Sequence, residues 1–173
     1  ESLTASCVGA LYPAITNAAG RGDYAGMRSL SYRMCKWATL AMIVFAFPLI
    51  PEMETVMKIW LKTPPEGAAG LCVIILIATV LNHMTDGHWM AIFALGKVTR
   101  FNVCESIGFF LAFGVAVVMM RLGFGIVSAG YGILFGYLYA GVVKLHFGRT
   151  LCGLSACQWA QKVLVPASAI GMA

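Results

Sequence analysis

Charge is scarce in this chain. Only 11% of its residues are charged, and seven of these are Asp or Glu against 12 Lys and Arg. Soluble domains usually contain about a quarter charged residues. This composition therefore argues against a water-soluble domain, although 173 residues is a suitable length for one. Hydrophobic residues make up 60% of the chain, so we expect much of its surface to face an apolar environment.

Catalytic and metal-binding patterns are also missing. The six cysteines show no CxxC spacing, and no histidine lies where it would complete a zinc site. There is no glycine-rich phosphate loop, no HExxH and no nucleophile with an identifiable base. Asp86-Gly87 is similar to part of the DxxDG…AR signature of lipid-alcohol phosphotransferases, but His83 stands where that signature has aspartate. We therefore expect no enzyme activity, no metal and no cofactor.

Long apolar runs are what the chain has in abundance. Four of them fill most of the sequence: Leu30–Ile50, Ala68–Leu95, Val103–Met120 and Phe124–Val143. A bilayer core about 30 Å thick takes about 20 helical residues to cross. Within lipid, each segment must pair its own backbone N–H and C=O groups. The sequence therefore predicts an all-α, polytopic membrane helical bundle with four spans.

The two ends of the chain suggest a piece of a larger membrane domain. Residues 2–19 resemble the tail of a preceding helix, and the chain opens on Glu1 rather than methionine. The run Val163–Ala173 resembles the start of a fifth span. We therefore interpret residues 1–173 as a partial transmembrane domain.

Basic residues are distributed unequally between the two sides of the predicted spans. Nine of the 12 fall in residues 20–36, 96–100 and 144–162, whereas the opposite loops hold Lys58, Lys62 and Arg121. Cytoplasmic loops are enriched in Lys and Arg, so the three richer segments are predicted to be cytoplasmic. A nucleic-acid surface would gather its basic residues on one face with aromatics between them. Nucleic acid is therefore not an expected partner.

A short amphipathic helix is predicted over Glu52–Lys62. Its apolar residues recur at helical spacing: Met53, Val56, Met57 and Trp60. A helix with one apolar face lies along the membrane interface, where Trp is favoured at headgroup depth. We expect this segment on the outer surface, ended by Pro64-Pro65.

Short motifs follow one another in a recognisable order from residue 12 to about residue 120. They are Tyr12-Pro-Ala-Ile-Thr16, Gly22-Asp23 with Met27, Arg28, Arg33 and Lys36, Phe47-Pro-Leu49, Glu54, Ile59-Trp-Leu-Lys62 with Pro64, Ala94-Leu-Gly-Lys97 and Arg121-Leu-Gly-Phe124. In order, spacing and sidedness this series resembles the oligosaccharide-lipid flippases of the polysaccharide-biosynthesis family. That family belongs to the MATE-like multidrug/oligosaccharidyl-lipid/polysaccharide exporter superfamily.

The resemblance implies a transporter of two pseudo-symmetric helical lobes, of which this chain is most of the C-terminal half. It implies alternating access that flips lipid-linked oligosaccharide repeat units across the bacterial inner membrane for polysaccharide biosynthesis, including that of lipopolysaccharide. Membrane lipid and the lipid-linked saccharide are then its partners. Two features depart from the pattern. Thr85-Asp86-Gly87 stands where many relatives have small and proline residues, and the cations expected to hold a pyrophosphate are not visible.

Two other classes of protein stay open. A MATE-type cation-coupled exporter of small amphiphilic compounds would share the fold, and an acidic, histidine-bearing cavity would favour it. An integral membrane transferase acting on lipid-linked sugars would need acidic or histidine residues converging at an interface loop, and the loops here offer few.

A polar segment, residues 82–88, interrupts the second predicted span. His83 and Asp86 are three residues apart, so on a helix they share a face and can hydrogen-bond. An ionisable side chain in the bilayer costs at least about 2.5–3.5 kcal/mol, so both are expected to face the bundle interior. With Asn82 they either line the substrate cavity, or couple transport to H⁺ or Na⁺, or brace a helix contact. His88 is placed nearer the inner interface.

Two further features lie in the third and fourth predicted spans. Glu105 is interpreted as a structural charge that pairs with Arg100 or a neighbouring helix, or as a coupling charge. Small residues at a spacing of four form a stripe on the fourth span: Ser128, Gly132, Gly136 and Ala140. Such a stripe lets another helix approach closely, and we interpret it as a packing surface.

Overall fold

The computed structural model describes Gly9 and residues 11–165, and this part of the chain is all-helical, without strands. Its helices, labelled here in chain order, are α1 (Leu11–Gly20), α2 (Tyr24–Leu49), α3 (Met53–Leu61), α4 (Ala68–His83), α5 (Asp86–Ala94), α6 (Thr99–Arg121), α7 (Val127–Cys152) and α8 (Ala156–Trp159). A π-helical turn, Ala160–Leu164, follows α8. The all-α prediction is confirmed. Most of the predicted fifth span lies outside the described residues.

The described helices include fewer clear membrane spans than the four predicted. Helix α6 alone is long and apolar enough to cross a membrane. Two pairs of helices are long and apolar enough only if each bent pair is counted as one span. These pairs are α2 with α3, bent by 75°, and α4 with α5, bent by 44°. Helix α7 is not among the candidates. By length and composition, the described residues therefore contain one to three candidate spans.

The ends of α2 and α7 differ from the predicted spans. Helix α2 begins at Tyr24 because the Asp23 carboxylate caps it, accepting the Gly26 N–H at 2.8 Å. Helix α7 continues to Cys152 and ends where Gly153 adopts a left-handed conformation with φ 68°. Most of residues 21–36 and 144–162 is therefore helical rather than loop, while their cytoplasmic side stays a prediction.

Helix α3 is present where an amphipathic helix was predicted, and part of its apolar face packs within the chain. Met53 and Met57 are buried against Ala68 at the start of α4. Trp60, one turn further along α3, is 79% exposed because no described element covers it. The helix is therefore confirmed, and its position along the outer membrane surface stays a prediction.

The broken pair α4–α5 lies at the centre of the bundle, where α2 packs on one side and α7 on the other. Helix α6 packs mainly on α7, along the stripe Ser128, Gly132, Gly136 and Ala140, whose members are all buried. A Cβ on Gly132 would lie 2.8 Å from the Ala112 carbonyl oxygen. Gly132 thus allows the α6 backbone to approach α7 closely.

The outer face of α6 is apolar and exposed. Phe110 is 80% exposed, and further large apolar residues are exposed along the same helix: Val103, Ile107, Phe109, Leu111, Phe113, Val117, Val118 and Met120. Soluble monomers rarely expose an apolar patch of this extent. This face suits lipid or the helices of another membrane segment.

Candidate functional site

The helical pair α4–α5 is broken at Met84 and Thr85, within the polar segment noted in the sequence. The second predicted span therefore consists of two helices bent by 44° at this polar segment. The Thr85 hydroxyl donates to the Asn82 carbonyl oxygen at 3.1 Å, and such a bond competes with helical pairing. Gly87 follows, and a Cβ there would lie 2.0 Å from the Ser31 carbonyl oxygen of α2. The bend brings α5 against α2.

His83 and Asp86 are within hydrogen-bond distance of each other across this break. His83 Nδ1 lies 2.5 Å from Asp86 Oδ2, and the two side chains are 20% and 23% exposed. His83 ends α4 and Asp86 begins α5, so the Asp86 carboxylate lies at the helix start, where the helix dipole favours a negative charge. The two residues were predicted to share one helix face. They instead join two helices, and they do so at hydrogen-bond distance.

Lys144 is a functional candidate that the sequence analysis missed. It was assigned to a cytoplasmic segment, but it lies in α7 and is only 5% exposed. Its ammonium group donates to Asn82 Oδ1 at 2.8 Å. The signal was available, because residue 144 is the next position after Ala140 in the four-residue spacing of the buried stripe. Lys144 therefore faces the same interior as that stripe.

A cavity of about 300 Å³ lies between α4, α5, α6 and α7. Its lining residues are Asn82, Asp86, Trp89, Glu105, Phe109, Tyr137, Ala140 and Lys144. The fold thus brings Asn82, Asp86 and Glu105 to one place. His83 is outside the lining and contacts it through Asp86.

Glu105 lines this cavity rather than pairing with Arg100. Among residues 11–165, the His83–Asp86 pair is the only ion pair within 4 Å, so the predicted Glu105–Arg100 contact is absent there. Glu105 is half-buried, whereas Arg100 is exposed. Glu105 and Asp86 both interact electrostatically with Lys144. The cavity therefore holds two carboxylates and one ammonium between apolar helices.

His88 lies in the core between helices, while its predicted depth near the inner membrane interface stays a prediction. It is fully buried, with its Nδ1 3.6 Å from Cys35 Sγ and its ring edge-on to Tyr32 and Trp159. Gly148 of α7 packs directly on it. These contacts make His88 a packing residue between α2, α5 and α7.

The chemical capacity of the cavity is polar recognition. It offers an ammonium donor, carboxylate acceptors, an amide and a tyrosine to a bound group. Within the described residues, no cluster of three or more His, Cys, Asp or Glu could hold a metal ion. Comparison with protein families, curated proteins and solved structures gives no match to this chain.

Proposed function

We propose that this chain forms most of the C-terminal lobe of a multi-pass transporter in the bacterial inner membrane. The transporter flips lipid-linked oligosaccharide repeat units by alternating access and catalyses no reaction. The observation that carries this proposal is the charged cavity at the break between α4 and α5. The motif resemblance described above supplies the substrate class.

The broken helix supports transport in general. Non-helical backbone at membrane depth is tolerated only where it is buried in protein or lines a water-filled cavity. Discontinuous helices with polar groups at the break form the substrate and ion sites of many secondary transporters. Here the break lies beside Asn82 and Asp86, which line the cavity. A purely structural bend would need neither the carboxylate nor the buried Lys144.

Lys144 supports a phosphate-bearing substrate. A lipid-linked saccharide presents a pyrophosphate between its lipid and its sugars, and lysine binds phosphate as a point charge. The bond from Lys144 to Asn82 holds the ammonium at the cavity wall. Asp86 and Glu105 can accept hydrogen bonds from sugar hydroxyls. Recognition thus divides between one cation for the phosphates and two carboxylates for the saccharide.

A cation-coupled exporter of small amphiphilic compounds is the second candidate. It is favoured by the two carboxylates in the same cavity, one of them paired with His83 at 2.5 Å. Intramembrane carboxylates and histidines form proton relays in pumps and transporters. In this reading Asp86 and Glu105 bind H⁺ or Na⁺, and Lys144 keeps the cavity from collecting excess negative charge.

Flipping in proteoliposomes separates the two functions. The full-length protein is reconstituted with a lipid-linked oligosaccharide that carries a fluorophore on its sugar, and a membrane-impermeant quencher reports the exposed fraction. We expect Lys144→Gln to lower the initial rate at least about tenfold, since a charge-assisted hydrogen bond contributes about 1.5–3 kcal/mol. The control Lys97→Gln removes an exposed lysine and should leave the rate unchanged.

Failure of the wild-type protein to flip this lipid would contradict the proposed flippase function. The exporter would then be tested by loading the same vesicles with a cationic amphiphilic dye and applying a pH or Na⁺ gradient. Gradient-dependent dye efflux that is abolished by Asp86→Asn, without any flipping, would establish the second candidate instead.

A further inference from the structure

A second polar cavity lies between α2 and the π-helical turn, apart from the cavity at the α4–α5 break. Its volume is about 430 Å³. Six residues line it: Ser29, Tyr32, Arg33, Lys36, Gln161 and Lys162. It shares no lining residue with the first cavity, so the proposed transport leaves it unexplained.

Two separate elements build this second cavity. The four α2 residues are spaced by three and four positions, which places them on one face of the helix. Gln161 and Lys162 come from the π-helical turn, a type of distortion that is frequent at functional sites. Residues distant in sequence thus converge on one space.

Tyr32 fixes the two elements relative to each other. Its hydroxyl donates to the Ser155 carbonyl oxygen at 3.2 Å and accepts the Ser155 N–H at 2.7 Å. The Lys162 ammonium lies 4.8 Å from the centre of the Tyr32 ring, within the range of a cation–π contact. These contacts therefore hold Lys162 beside α2.

The charge of this cavity is entirely positive. Arg33, Lys36 and Lys162 contribute three cations, and no lining residue is acidic. In the part of the chain that the structure describes, none of the three lies within 4 Å of a carboxylate. The Ser29 hydroxyl and the Gln161 amide add neutral donors. Three like charges with hydrogen-bond donors around one space suit a phosphate group, which arginine and lysine both bind well.

The surroundings favour a lipid as the source of that phosphate. Trp37 follows Lys36 and is 58% exposed, and exposed Trp beside basic residues is typical of headgroup depth. Basic pockets between membrane helices on the cytoplasmic side bind anionic headgroups. The distribution of basic residues places α2's first turns on that side.

We infer that the cavity between α2 and the π-helical turn binds the phosphate of an anionic phospholipid headgroup. Arg33, Lys36 and Lys162 hold the phosphate, and Tyr32 holds Lys162 in place. The site requires no transport activity and would persist if the proposed flipping were wrong.

Lipid retention tests this site. The full-length protein is released from nanodiscs of equal parts phosphatidylcholine and phosphatidylglycerol, and native mass spectrometry counts the lipids that remain bound. We expect wild-type protein to retain phosphatidylglycerol preferentially. Lys36→Gln with Lys162→Gln should weaken this retention about 30-fold, at about 1 kcal/mol for each basic residue.

Matched variants distinguish a specific lipid-binding site from nonspecific electrostatic attraction between basic residues and anionic lipid. Lys36→Arg with Lys162→Arg keeps both charges and should retain the lipid. Lys97→Gln with Arg100→Gln removes two exposed charges outside the cavity and should have no effect. Equal loss in that control pair, or wild-type retention in the Lys36/Lys162 glutamine variant, would overturn the inference.

A soluble phosphate source is distinguished in phosphatidylcholine nanodiscs. Inorganic phosphate is added, and the unfolding temperature is measured for wild type and for the Lys36/Lys162 glutamine variant. In one outcome, inorganic phosphate raises the unfolding temperature of wild type alone while wild type shows no preference for phosphatidylglycerol. That result would mean that the site binds a soluble phosphate anion and not a lipid headgroup. Lipid retention is measured without any flipping, so a failed flipping assay leaves this test intact.

Discussion

The cavity at the α4–α5 break depends on a few individual side chains, of which Lys144 is the most demanding. A buried ammonium is stable only when neighbouring groups compensate for its lost hydration. Asn82 does so through a direct hydrogen bond at 2.8 Å, and Asp86 and Glu105 do so through their charges. Removing one partner should therefore cost more than removing both.

A double-mutant cycle tests the bond between Asn82 and Lys144. Asn82→Leu should lower stability by about 1–3 kcal/mol, because the ammonium loses its buried acceptor. Combining it with Lys144→Met should restore part of that loss, since the buried ammonium that lost its acceptor is then removed as well. The measurement is thermal unfolding of the purified protein in detergent. Simple additivity of the two changes would show that the bond contributes nothing.

The variant Asp86→Asn shows whether Asp86 has a role in transport or a structural role. Asp86→Asn keeps the shape of the side chain but removes the charge opposite His83 and Lys144. If Asp86 serves the substrate cavity, transport per folded molecule should fall about tenfold or more, as expected for loss of a charged contact. Expression should stay near normal. Less folded protein with unchanged activity per molecule would assign Asp86 to bracing the bend.

At the scale of elements, close helix approaches position these side chains. Helix α6 reaches α7 over Gly132 and Gly136, and α5 reaches α2 at Gly87, where a Cβ would clash with the Ser31 carbonyl. Backbones this close leave no room for a methyl group. The polar cavity exists because these contacts bring four helices together around it.

Two glycines of α7 offer a matched comparison. Gly132→Ala would place a Cβ 2.8 Å from the Ala112 carbonyl oxygen, whereas Gly141→Ala meets nothing within 4 Å. We expect Gly132→Ala to destabilise the protein by about 1–3 kcal/mol through overpacking. Gly141→Ala should be neutral or stabilising by up to about 1 kcal/mol. Unfolding temperatures measured side by side give the answer. Equal effects at the two positions would refute close packing at Gly132.

At the scale of the whole molecule, both proposed functions depend on how the chain is oriented in the membrane. The site at α2 needs a cytoplasmic face, and the transport proposal needs α6 in lipid or against another lobe. Most of the exposed apolar area of α6 has no partner within the described residues. The orientation of the chain in the membrane is therefore the property to measure.

Single-cysteine labelling in intact cells measures that orientation. Cysteines are introduced one at a time at Gly22, Thr63 and Thr99, which are all exposed, into a variant whose six native cysteines are replaced by serine. An impermeant maleimide should label Thr63→Cys alone. Labelling at Gly22 would reverse the topology.

The sequence determined the helical character of this protein and the identity of its polar cluster. Long apolar runs can satisfy their backbone groups only as helices, so the four predicted segments all became helical. The spacing of His83 and Asp86 anticipated their contact, because short-range geometry depends on the backbone alone. The small-residue spacing on α7 likewise marked the residues that are now buried.

Tertiary structure decided what those residues do. The bend at Thr85 and the close approach at Gly87 depend on contacts with α2, which periodicity along one helix cannot reveal. Lys144 had the sequence environment of a surface anchor, yet packing placed it beside Asn82, 62 residues away in the chain. In the sequence, Arg33, Lys36 and Lys162 indicate sidedness, and the first two belong to the motif series. Their convergence on one cavity depends on the contact between Tyr32 and Ser155. Charge is visible in a sequence, but the partner that compensates for it is set by the fold.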